Sequence, residues 1–156
     1  MRHIAALFLM LLSAFPAVAD DIHRLVAAVA MLPLPDSHQD DVEALVRTHW
    51  SNYFNVSGPQ GFRREHLRAG RFDLDGDGRA ELLVMIDHPE WESANGKPFV
   101  MANWTAKGWR AIGWGWSHED GVFVSAEKLK GVYTVDTPLY WIRWTGKAYQ
   151  LEAKPQ

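Results

Sequence analysis

The chain has 156 residues, 16 Lys and Arg against 19 Asp and Glu, and a formal net charge of −3. That length suits one compact domain, and a mildly acidic balance without a basic stripe excludes an electrostatic footprint for nucleic acid or anionic lipid. Cysteine is absent, so disulfides and thiol nucleophiles are excluded and stability must come from the core and any bound ion.

The chain opens MRHIAALFLMLLSAFPAVADDI. Arg2 and His3 form a short positive start, Ile4 to Phe15 an apolar run, and Ala17-Val18-Ala19 a small-residue cleavage site. This is the layout of a secretory signal peptide over 1–19, too short and wrongly flanked for a membrane span. One domain over 20–156 is expected after cleavage, periplasmic or secreted, with no membrane insertion. A cysteine-free exported chain fits a bacterial periplasm better than an animal secretory route.

Ile22, Leu25, Val26 and Val29 fall at i, i+3, i+4 and i+7 and predict an amphipathic helix that Pro33 and Pro35 end. Asp36 or Ser37 is placed to cap a second helix, in which Val42, Leu45, Val46, His49 and Tyr53 form one stripe and Ser57-Gly58-Pro59 marks the end. After Gly61 the pattern changes to period two, with β-branched and aromatic residues between turns. It predicts strands over 66–72, 81–86, 99–105, 109–116, 122–125, 132–135, 140–145 and 149–153. Asn95-Gly96, Ala106-Lys107-Gly108, Asp120-Gly121 and Thr145-Gly146 supply the turn chemistry. The expected fold class is α+β: one or two N-terminal helices packed on a mainly antiparallel sheet of consecutive hairpins.

Two segments echo one another. WTAKGWRAI at 104–112 and WTGKAYQLE at 144–152 share Trp-Thr-x-Lys-x-aromatic. Two copies cannot close a propeller, so they predict two similar hairpins in one sheet.

RFDLDGDGRAELLVMI, residues 71–86, carries the chemistry. With Asp73 at position one, Asp75 is three, Asp77 five, Arg79 seven and Glu81 nine. Alternate side chains of a curled loop can point at one centre, and calcium takes six to eight oxygens. Gly76 and Gly78 let the backbone bend, the Arg79 carbonyl adds an oxygen, and the Arg79 side chain points into water. Hard carboxylates without Cys or His favour Ca2+ over zinc or copper. An acidic turn that binds nothing would set three aspartates against one another without a cation.

This loop, DLDGDGRAEL, resembles the calcium loop of FG-GAP and VCBS-type repeats, D-x-D-x-D-G-x-x-[DE]-L between two strands. It also resembles the first nine positions of EF-hand and dockerin loops. The resemblance covers about a dozen residues and implies calcium on Asp73, Asp75, Asp77, the Arg79 carbonyl and Glu81. Position twelve of an EF-hand is a bidentate Glu, here Val84 within a strand-like run, so the FG-GAP type fits better. Such a set suggests a dissociation constant on the order of 10⁻⁴ to 10⁻³ M.

Asp87, His88, Glu90 and Glu92 follow the next strand, either as an acid/base cluster or as a polar exit with Pro89 forcing the turn. Serine-nucleophile, zincin, Walker and dinucleotide patterns are absent. Eight tryptophans remain. Trp114 and Trp116 share a strand face with Ile112, opposite Ala111, Gly113 and Gly115. Either the glycine face packs under the helices and exposes the tryptophans, or the tryptophans are core. Trp141 is a third candidate contact for a ligand. Exposed aromatics with few charges suit a glycan or protein interface. The sequence thus predicts a small calcium-binding protein, a binding or inhibitor module for a glycan or protein partner. Its alternatives are a hydrolase using carboxylates near 87–92 and a purely structural calcium-stabilised domain.

Overall fold

The computed structural model describes residues 25–35, 37, 39–51, 61–118 and 121–155. The predicted signal peptide, the start of the first helix at Ile22, the cap at Asp36, Tyr53, the stop at 57–59 and Asp120 lie outside them.

The described residues are mostly β. In chain order they form β1 (Leu25–Val29), β2 (Leu32–Pro33), α1 (Gln39–His49), β3 (Leu67–Phe72), β4 (Glu81–Ile86), β5 (Lys97–Thr105), β6 (Gly108–Ser117), β7 (Val122–Leu129), β8 (Val132–Asp136), β9 (Tyr140–Trp144) and β10 (Tyr149–Ala153). The strands make two five-stranded sheets, ordered β1-β7-β8-β9-β10 and β2-β3-β4-β5-β6. Every strand pair is antiparallel.

The expected α+β class, with helices ahead of a single sheet, is therefore corrected at two points. The first predicted helix is strand β1, paired with β7 from Leu25↔Ser125 to Val29↔Val122. LVAAV satisfies both periods: Val29 is buried and Ala27 packs beside it in the core, while Leu25 and Val26 are exposed. The run before Pro33 is too short to support itself as a helix, and an open strand edge at β7 decides the outcome. The second correction is that the hairpins divide between two sheets rather than filling one.

The sheets face each other across a core. Leu83 and Met85 of β4, with Phe99 and Met101 of β5, meet Val122 and Val124 of β7, Val135 of β8, Ile142 of β9 and Tyr149 of β10. The other face of the second sheet, Leu82, Val84, Ile86, Val100 and Ala102, is covered by Val42, Leu45 and Val46 of α1. These three belong to the stripe that the helical period predicts, and His49, its next member, is half-buried. All six residues of β4 are buried, because a strand covered on both faces cannot alternate with water. Arg64, just before β3, bonds Asp40 and Glu43 of α1 at 2.8 Å each and ties the helix to its sheet.

A bulge in β6 resets its faces. Met101 pairs with Gly113 but Ala102 with Ala111, leaving Ile112 as the extra residue. Ile112 consequently joins Gly113 and Gly115 on the sandwich side, where a Cβ on Gly113 would overlap the Cβ of Tyr149. The glycine face packs against the opposite sheet, not under the helix, and Trp114 and Trp116 turn outward.

Candidate metal centre

Strands β3 and β4 pair from Leu67↔Ile86 to Phe72↔Glu81, and residues 73–80 connect them. Gly76 (φ 78°) and Gly78 (φ 86°) take the left-handed conformations that curl this connection. Asp73 organises the curl: its Oδ1 accepts from the Gly76 N–H at 2.7 Å and its Oδ2 from the Gly78 N–H at 2.9 Å. Asp75 Oδ1 accepts from the Asp77 N–H at 3.0 Å. Three carboxylates converge as a result. One oxygen each from Asp73, Asp75 and Glu81 lies within 4.8 Å of the others.

Glu81 is only 7% exposed. Its Oε2 accepts from the Leu74 N–H at 2.7 Å. Burial holds its carboxyl above the ordinary value; the Leu74 N–H opposes the rise, and Asp75 and Asp73 add to it. Among the described residues no ion pair reaches Asp73, Asp75 or Glu81. Three converging carboxylates, one of them buried, thus repel one another with no ion pair among the described residues to offset it. The arrangement could hold a hard divalent ion, which would supply the offsetting charge and take oxygen ligands.

The loop is also fastened to the opposite sheet. Leu74, 1% exposed, is buried in the sandwich core, and its carbonyl accepts from the Tyr133 N–H of β8 at 2.8 Å. Tyr149 of β10 donates its hydroxyl to the Tyr133 carbonyl at 3.0 Å, and burial, with Glu81 and Asp75 nearby, pushes its pKa well up. Any ion on the loop therefore sits at a junction between the two sheets.

One predicted ligand stands apart. Asp77 lies outside the converging group; its Oδ1 accepts from the Arg79 N–H at 2.7 Å and its Oδ2 is 3.7 Å from the Arg79 guanidinium. The Arg79 side chain is exposed, as the loop pattern predicts.

Beside the loop opens a cleft of about 470 Å³, where Asp75 and Glu81 share the lining with Asn103, Arg110, Trp144 and Lys147. The sequence reading missed these last four. For Arg110, Trp144 and Lys147 the signal was the Trp-Thr-x-Lys echo, whose two copies are the β5–β6 and β9–β10 hairpins, one in each sheet. Thr105 Oγ1 donates to the Gly108 carbonyl and Thr145 Oγ1 to the Ala148 carbonyl, both at 2.8 Å, so the two turns share one device.

The other sequence candidates disperse. Asp87 is bound to Lys97 at 2.8 Å and Arg68 at 3.1 Å, and the Lys97 hydrogen bond holds its carboxyl below the ordinary value. Asp87 thus ties β3 to β5 as a carboxylate. His88 Nδ1 accepts from the Glu90 N–H at 3.1 Å, capping a short turn. Trp114 is 40% exposed and its ring lies 5.1 Å from Trp116, which lies 6.0 Å from Tyr140. Trp141 is on the outer face of the other sheet, beneath the Arg143 guanidinium at 4.5 Å. Set against known protein families, curated proteins and solved structures, the chain matches none of them.

Proposed function

We propose that this protein is a small exported β-sandwich, periplasmic or secreted, whose 73–81 loop takes one calcium ion and whose role is binding a glycan or protein partner rather than catalysis. Asp73, Asp75 and Glu81 hold the ion, with Asp77 and the Arg79 carbonyl completing the set as it binds. The observation that carries this is the convergence of the three carboxylates within 4.8 Å, with a buried Glu81 that enters no ion pair among the described residues. The engagement of Asp87 with two cations supports a binding role over a carboxylate hydrolase at 87–92, since a general acid needs a proton to give.

Calorimetric titration of the purified protein tests the site directly. One calcium per chain is expected, with a dissociation constant on the order of 10⁻⁴ to 10⁻³ M. Glu81→Gln should abolish it. Absence of binding, or equal binding by the variant, would remove calcium from the account.

A further inference from the structure

The ion accounts for the carboxylates but not for what stands opposite them. The charged lining of the cleft comes in two halves: Asp75 and Glu81 from the loop, Arg110 from β6 and Lys147 from the β9–β10 turn. Among the described residues no ion pair joins these halves, and neither Arg110 nor Lys147 enters any other. Arg110 Nε makes a 3.4 Å hydrogen bond to Asn103 Oδ1. Unpaired, the two cations are available to an anionic group of a ligand, and the two carboxylates to a cation.

The walls are fixed rather than loose. Trp144 is partly buried with its ring 5.3 Å from Tyr149, and the turn carrying Lys147 is braced by Lys130 Nζ donating to the Thr145 carbonyl at 2.6 Å. The floor is Leu74, Ile112 and Tyr149, all core residues. A volume of about 470 Å³ falls in the range of small-ligand clefts, which combine apolar walls with a few placed polar groups.

We infer that this cleft binds a carboxylated sugar, a uronic acid unit alone or in a short chain, and that it does so through the calcium ion; the inference rests on the calcium site proposed above. Five protein oxygens leave calcium one to three further positions, which sugar hydroxyl oxygens can fill. Arg110 supplies the planar fork that matches a carboxylate, and Lys147 adds a second positive charge. Asn103 offers an amide to a ring hydroxyl, and Trp144 an apolar face to the ring itself. Without the ion, Asp75 and Glu81 repel the same ligand, so binding is calcium-dependent.

The test is calorimetric titration of the purified full chain with D-galacturonate, in calcium and in chelator, with D-galactose and acetate as controls. Galacturonate should bind in calcium, fail in chelator and exceed both controls. Arg110→Ala with Lys147→Ala should weaken galacturonate about ten-fold or more while calcium still binds, no more weakly than to the parent; both side chains are exposed, so the fold should persist. Calcium binding without galacturonate binding would overturn the inference and leave the calcium site standing. Equal binding of galactose or of acetate, or an unaffected double variant, would also overturn it. Absence of calcium binding would defeat both.

Discussion

Asp87 shows what a single carboxylate does when two strands aim cations at it. Its folded-state pKa is depressed, first by the Lys97 hydrogen bond and then by Arg68, against the effect of burial. The stabilisation is therefore present above the unfolded aspartate value, near 3.9, and is lost as pH falls through the depressed folded value. Asp87→Asn should cost about 1 kcal/mol near neutrality, since the pair is partly exposed. That difference should shrink towards zero in strong acid. A difference in urea unfolding that persists unchanged at low pH would mean that the ion pairs are not its source. At this scale the converging carboxylates were legible because Asp73, Asp75 and Glu81 fall within one short segment. Arg68 and Lys97, Asp87's partners, were not, because strand pairing brings them together from opposite sides of β4.

Among the elements, the glycine face of β6 makes the sharpest demand. A Cβ on Gly113 would overlap the Tyr149 Cβ, next to backbone, and lie 2.8 Å from Met101 Cε. A Cβ on Gly115 would instead meet the Ile142 Cδ1, the free end of a side chain that can turn away. Both substitutions overpack the interface between sheets, at about 1–3 kcal/mol. Gly113→Ala should fall at the upper end and Gly115→Ala at the lower, read as urea midpoints. The reverse order would show that these glycines do not set the sheet separation. The strands from β3 onward were readable because their alternation and turns are local. Strand β1 was not, since LVAAV suits either period and only its partner β7, almost a hundred residues on, selects the strand. The bulge at Ile112 was equally hidden, and without it Trp114 and Trp116 were assigned beside Ile112 on one face.

For the molecule as a whole, the loop between β3 and β4 is one place where the two sheets are joined. Leu74 enters the core, its carbonyl holds β8, and its N–H holds the buried Glu81 of the carboxylate group. An ion that binds only this arrangement stabilises the entire sandwich by mass action. Two stacked sheets with a helix outside were beyond the sequence, because the pattern fixes which face of a strand is apolar but not which sheet it meets. The echo between 104–112 and 144–152 was visible as two hairpins; that they face one another across a cleft depends on that sheet assignment.

The most direct test is thermal unfolding of the purified protein in calcium, in magnesium and in chelator, beside Asp75→Ala. With a dissociation constant near 10⁻⁴ M, ~10 mM calcium should add about 2.7 kcal/mol, a rise of roughly 5–10 °C in Tm. Magnesium should give less, and the variant should not respond. A melting temperature indifferent to calcium, or an equal rise in Asp75→Ala, would contradict the claim that this loop is a calcium junction between the sheets.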